Sequence, residues 1–420
     1  MWGLQDPQGS VEKKEPSPPR KSKMPSENRC LVLTPPSFLK HLEEPYLFNI
    51  DTDELYELNL DAYQFLLRLC RGENPPVPEE DKEFIQFCLD EGLITFSDAP
   101  APKKVFLEPS PVPSLRYLEL QITDRCNLKC RHCYLGEGLH RDLPIVSIQQ
   151  GLQEFEEMHG LRLLLSGGEP LLHPQFWTLN EVLRDYAFRS ILLSNGVLIT
   201  REVARRLRVH EVQISLDGMK EGHESLRGEG TFEKCLSAID HLQEENIRVS
   251  VATMIHRKNL GEFDPLAHLL ESKRIEEWNV DVPCIAGRFK DNQDLWVEPS
   301  KAGPLLNYGF GGGLHTSGEE NATCGAHLCA ILPSGHVCKC GLFSQDPVGA
   351  IDLGLRTCWE RIPRVAIKDL TCNCPELRIC KGGCRFRALQ FGSLYHPDFF
   401  QCYARGVLKG GEIDDYQEGS

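Results

Sequence analysis

Six times between Leu115 and Val282 a short apolar run is followed by a helical pattern. The runs are Tyr117–Ile122, Arg162–Leu165, Ser190–Leu193, Glu211–Leu216, Arg248–Met254 and Glu277–Val282. Strands that alternate with helices lie parallel in one sheet, so an α/β fold is expected. Sites in such sheets form at the C-terminal ends of the strands. Between the runs, Phe232, Cys235, Leu236, Ile239 and Leu242 make an apolar helical stripe, which assigns Cys235 to the core. Ser147 and Gln150 have capping-box spacing, so a helix is expected to start at Ser147.

Directly after the first run come Cys126, Cys130 and Cys133, three thiols within eight residues. Three is one fewer than the four thiolates that usually hold a cubane iron–sulfur cluster, and it leaves one iron open. Zinc ligation or a surface thiol group is the plainer reading. The whole chain has 18 cysteines and no apolar h-region at its start, which favours metal ligation over a disulfide framework. It also points to a reducing cytoplasm. No run of about 18 apolar residues exists, so no membrane span is expected. The net charge of −15 argues against nucleic acid as a partner.

The spacing C-x3-C-x2-C resembles the cluster loop of the radical S-adenosylmethionine (radical SAM) enzymes, whose core is a partial barrel of six β–α units. The resemblance implies that the open iron takes the amino and carboxylate groups of S-adenosylmethionine (SAM). Ser166-Gly167-Gly168-Glu169-Pro170 after the second run is similar to the family's GGEP turn, which places Gly167, Gly168, Glu169 and Pro170 at the SAM amino group. Ser194 and Asn195 after the third run, and Ser215 and Asp217 closing the fourth, resemble family SAM contacts, with ribose hydroxyls as partners. Asp217 also reads as a turn residue. Arg227 matches an arginine that faces the SAM carboxylate, although a surface arginine would look the same. His132 holds the family's usual aromatic position, and Tyr134 is open between packing and cofactor contact.

Ahead of the core, residues 1–28 are rich in Pro, Ser, Lys and Glu and read as a disordered tail. Residues 29–100 change character. Tyr46–Ile50 and Glu54–Leu58 read as strands, and Ala62–Cys70 and Glu79–Asp90 as helices. This order resembles the winged-helix-like (PqqD-like) module that captures a leader peptide in peptide-modifying enzymes. A simple cap on the core is the alternative. Residues 101–114 form a proline-marked linker, residues 115–305 the core, and 411–420 a tail.

Residues 306–410 carry ten cysteines. Their order resembles the SPASM extension of radical SAM maturases, which holds two auxiliary [4Fe–4S] clusters, giving three clusters in all. By that resemblance Cys324, Cys329, Cys340 and Cys384 hold the first auxiliary cluster, and Cys372, Cys374, Cys380 and Cys402 the second. Cys338 competes with Cys340, which is preferred because it keeps the Gly-x4-Cys spacing. Cys372 departs from the family by a one-residue spacer to Cys374, and Cys358 reads as a free thiol. Structural zinc is the alternative for the region.

Together these features imply a maturase that reductively cleaves SAM and installs a thioether or carbon–carbon cross-link in a ribosomally made precursor peptide. A flavodoxin or ferredoxin would donate the electron. Sulfatase-type maturases carry an acid directly after the third cysteine of the first auxiliary set, whereas Gly341 follows Cys340 here. Small-molecule dehydrogenation is the enzymatic alternative, and an iron–sulfur carrier the non-enzymatic one. The catalytic base is not identified by the sequence.

Overall fold

The computed structural model describes residues 29–77, 82–313, 315 and 322–409. The tails expected at 1–28 and 411–420 lie outside these residues, as does the expected helix start at Glu79. Two compact units are present: one of residues up to Ser114 with 157–161 and 187–189, and one of the remainder.

The first unit contains β1 (Cys30–Leu33), β2 (Ser37–His41), β3 (Pro45–Asn49), β4 (Glu54–Glu57), α1 (Leu60–Cys70), α2 (Lys82–Asp90) and β5 (Ile94–Ser97). β2, β3 and β4 form an antiparallel sheet with β4 at one edge. α1 starts where the Asn59 side chain accepts from the Ala62 N–H at 2.9 Å. It buries Tyr63, Leu66, Leu67 and Cys70 against Leu31, Leu33 and Ile94. β1 pairs with β5, from Cys30↔Ser97 to Leu33↔Ile94. Sequence reading missed β1, β2 and β5, because each is too short to show its own period.

The second unit is built on one nine-stranded sheet. Its first six strands are β6 (Tyr117–Thr123), β7 (Arg162–Gly167), β8 (Arg189–Ser194), β9 (Glu211–Ser215), β10 (Arg248–Met254) and β11 (Glu277–Asp281). They stand in sequence order across the sheet, as the partial barrel requires. β6 is parallel to β7, β8 to β9, β9 to β10 and β10 to β11. Helices α3 (Ile145–Glu157), α4 (Phe176–Val182), α5 (Arg201–Arg206), α6 (Lys220–Arg227), α7 (Phe232–Glu244) and α8 (Phe263–Ser272) lie between them. α7 buries Phe232, Cys235, Ile239 and Leu242, as its stripe predicts. The capping box does not form. α3 begins at Ile145, with the Ser147 N–H already donating to Pro144 O at 2.9 Å.

The cysteine-rich segment continues the same sheet. After α9 (Pro299–Ala302), β12 (Leu328–Ile331) adds in parallel to the outer edge of β6. β13 (His336–Cys338) and β14 (Gly349–Ala350) follow antiparallel. Short helices α10 (Leu355–Arg361), α11 (Leu377–Cys380), α12 (Arg385–Gln390) and α13 (Phe399–Ala404) complete the chain. No break in the sheet marks the boundary expected at residue 305. Among the described residues no helix is long and apolar enough to cross a membrane.

Candidate functional site

The loop carrying Cys126, Cys130 and Cys133 leaves β6 at its C-terminal end. The Thr123 hydroxyl anchors it, donating to Asp142 at 2.7 Å and accepting from the Arg125 N–H at 3.1 Å. Asp142 in turn holds Arg125 at 3.0 Å. The Gly167-Gly168 turn after β7 approaches this loop so closely that Gly168 N–H donates to Thr123 O and Glu169 N–H to Arg125 O, both at 2.8 Å. A Cβ on Gly167 would stand 2.2 Å from Thr123 O, and one on Gly168 2.3 Å from Arg125 O. Gly167 also has φ +138°, so both positions need glycine. Pro170 opens a short 3-10 turn behind them.

Glu169 is fully buried. Both its oxygens accept from the Ser194 hydroxyl at 3.1 Å, and Oε2 also accepts from the Asn195 N–H at 3.0 Å. Burial raises its carboxyl to about 7 in spite of those donors. The Ser194 hydroxyl, expected near a ribose, donates to Glu169. Asn195 Nδ2 donates to Asn127 at 2.9 Å and lies 4.0 Å from the Cys126 sulfur.

Asp217 is fully buried; Arg227 Nε binds its Oδ2, and the Met254 N–H donates to Oδ1 at 2.7 Å. Burial alone would raise this carboxyl, but Arg227, with His132 and His223 beyond it, holds it well below the usual range. Asp217 positions Arg227, whose Nη1 lies 3.9 Å from the Cys130 sulfur. Ser215 is half-buried at the end of β9, and its hydroxyl makes no hydrogen bond among the described residues. Burial lowers His132 to about 3, and both His223 and His256 to about 4, so all three are neutral at pH 7. Among the described residues the buried His132 Nδ1 and His256 Nε2 have no hydrogen-bond partner.

Sequence reading missed Glu119. Its Oε1 accepts from Gln121 at 2.7 Å, Tyr134 at 3.1 Å and Ser166 at 3.4 Å. Its Oε2 accepts from the Gly341 N–H at 3.1 Å. Tyr134 follows Cys133 and Gly341 follows Cys340, so one carboxylate ties two cysteine segments together. A Cβ on Gly341 would stand 2.4 Å from Gln121 Nε2 and 2.8 Å from Glu119 Oε1. An acid at that position has no room. Gly341→Ala is therefore expected to cost about 1–3 kcal/mol, readable as a lower urea midpoint in the iron-loaded protein.

Among the later cysteines, Cys402 is pushed up to about 12, first by burial and then by the charges of Asp398, Cys380, Cys374 and Cys372. Cys324 neighbours both Cys384 and Cys340. Cys338 packs instead with Ala330 and Leu332 in an apolar core. Cys329 is set apart from the group it was assigned to. It is fully buried on β12, with Cys358 and Cys338 as its thiol neighbours. A further thiol, Cys284, is buried just past β11. Its isolation in the sequence, 40 residues before Cys324, hid it.

The donor set fits iron–sulfur ligation. Cys126 is exposed at the loop, while Cys130 lies against the Arg227 guanidinium.

The radical SAM superfamily matches residues 120–270, which hold the first cysteine loop, the Gly167-Gly168-Glu169-Pro170 turn and Arg227. Mycofactocin maturase MftC of Mycobacterium tuberculosis is 34% identical over 309 residues, covering 64% of this chain and 77% of that protein. The chain belongs to the radical SAM superfamily. Fe-coproporphyrin III synthase of Methanosarcina barkeri is 31% identical over 192 residues, and the chain spans 47% of its length. AdoMet-dependent heme synthase of Nitratidesulfovibrio vulgaris is 26% identical, with 62% of its length spanned. In fold the chain is similar to Streptococcus suis SuiB, crystallised with precursor peptide SuiA, with a TM-score of 0.64 at 15% identity. That match covers 88% of this chain and 98% of SuiB.

Proposed function

We propose that this chain is a peptide maturase that cleaves SAM and modifies a ribosomally made precursor, with one SAM-binding and two auxiliary [4Fe–4S] clusters. The observation that carries the reading is the placement of three thiols at the end of β6 beside Glu169 and Arg227, with further cysteines in the segment that extends the same sheet. Cys126, Cys130 and Cys133 would hold the cluster, which when bound would supply the electron for SAM cleavage. The chain's own groups orient the SAM: Glu169 accepts from its amino group, Arg227 faces its carboxylate, and Ser215 offers a hydroxyl to the ribose.

The peptide reading is supported by MftC, a maturase whose similarity runs over 309 residues. The match to Fe-coproporphyrin III synthase runs over only 192. The SPASM-like extension and a PqqD-like module in residues 29–100 are part of the proposal. A leader strand would add at the edge of β4, where Glu54 and Glu57 favour a basic segment. A flavodoxin or ferredoxin in a reducing cytoplasm would be the natural electron source.

The test is anaerobic reconstitution followed by dithionite, SAM and a short peptide encoded beside the gene. Roughly 12 iron per chain, 5′-deoxyadenosine and a peptide mass lowered by hydrogen loss are expected. 5′-Deoxyadenosine without peptide modification, but with turnover of a tetrapyrrole or alcohol, would replace the peptide reading with small-molecule chemistry. No SAM cleavage by the iron-loaded protein would leave a carrier.

A further inference from the structure

Cys340 is extended, and Gly341–Phe343 follows it as a single 3-10 turn. The Phe343 N–H closes this turn on Cys340 O at 3.0 Å. The first N–H of the turn, that of Gly341, goes to Glu119 Oε2 at 3.1 Å. A Cβ on Gly341 would stand 2.8 Å from Glu119 Oε1 and 2.9 Å from the Tyr134 hydroxyl. With no side chain to separate them, the carboxylate lies directly against the peptide unit that follows Cys340.

Glu119 reaches this place from the middle of β6. Alternation along the strand sends Leu118, Leu120 and Ile122 into the core and puts Glu119 and Gln121 on the opposite face. Its four donors are the Gln121 amide, the Tyr134 and Ser166 hydroxyls and the Gly341 N–H. All four are neutral groups, so they hold the carboxylate without cancelling its charge. Gln121 turns its amide nitrogen to the acid, which leaves its buried Oε1 with no hydrogen-bond partner among the described residues. Burial and the neighbouring Glu119 charge raise the Tyr134 hydroxyl well above its ordinary value, so it stays a donor to the carboxylate.

We propose that Glu119 is a positioning residue that lowers the reduction potential of the centre to which Cys340 contributes. This rests on the reading that Cys340 is a ligand of an auxiliary cluster. Net charge and hydrogen bonds to the sulfurs are among the factors that set a cluster's potential. Glu119 acts through both. Its negative charge, next to the ligand segment, disfavours an added electron. Its Oε2 also occupies the Gly341 N–H, which is then not available to a sulfur. A centre poised lower is a better donor, so an electron received from the substrate would be passed on and not retained.

The test uses the full chain with Cys126, Cys130 and Cys133 all replaced by alanine, reconstituted anaerobically with iron and sulfide. This background is expected to hold roughly 8 iron, two cubanes. It is titrated with dithionite in the presence of redox mediators, and the electron paramagnetic resonance signal of each reduced centre gives a midpoint potential. Adding Glu119→Gln keeps the shape and an acceptor for the Gly341 N–H but removes the charge. It should move one of the two midpoints to a more positive potential and leave the other in place. Glu119→Ala also frees the Gly341 N–H and should move the same midpoint further. If Glu119→Ala does not fold, Glu119→Gln alone decides. Two unmoved midpoints in iron-loaded Glu119→Gln protein overturn the proposal, as do two midpoints moved equally, which is what general loosening would give. A background without iron removes the auxiliary-cluster reading itself, a result distinct from the other two.

Discussion

Asp217→Ala should destabilise the protein by about 3–5 kcal/mol and abolish measurable SAM binding, because Asp217 is the partner that orders Arg227. The substitution leaves the Arg227 guanidinium buried and unpaired beside Cys130. The carboxyl is held below its ordinary value of 3.8. Its stabilisation is therefore present above that pH and is lost only as pH falls through the depressed folded value. Replacing both partners, with Asp217→Ala and Arg227→Met, should return most of the stability but not SAM binding, since no buried charge then remains uncompensated. Urea midpoints separate the cases. A single Asp217 variant as stable as the parent would show that the pair does not order Arg227.

SAM affinity should depend on pH through Glu169. Burial raises this carboxyl to about 7, and the charged form is the better acceptor for the SAM amino group. As pH falls below 7, the dissociation constant should rise about tenfold per unit. Glu169→Gln should weaken binding by about 10- to 150-fold at pH 8, equivalent to about 1.5–3 kcal/mol for a charge-assisted bond, and flatten the pH profile. Stability of the unliganded protein moves in the opposite direction. A raised folded value means this group's contribution is full below its ordinary 4.5 and lost as pH rises through about 7. Calorimetric titration with SAM across pH 6–8 reads the affinity. A flat profile for the unsubstituted protein would remove Glu169 from the SAM contact.

The barrel was legible because each of its strands is a run of apolar residues long enough to stand out, and the glycine-rich turns and cysteine loop sit at their ends. Arg227 and Glu169 were found because neighbouring residues form a pattern. Glu119 was not, because its meaning comes from contacts across long sequence separations. Glu119 meets Gly341 from 222 residues away. Spacing along a chain likewise carries no information about which face of β12 Cys329 takes. The bond from Ser194 to Glu169 was not legible either, since a hydroxyl near a ligand and one holding a neighbouring carboxylate look alike in sequence.

The parallel pairing of β12 with β6 has a consequence for handling the protein in air. A six-stranded open barrel exposes the backbone donors and acceptors of its first strand, and such an edge recruits other chains. Here the covering strand belongs to the segment that also holds Cys324 and Cys340. On the proposed function that segment would hold iron, and its oxidative loss would loosen the cover and bare the edge, so exposure to oxygen should be followed by self-association as well as inactivation.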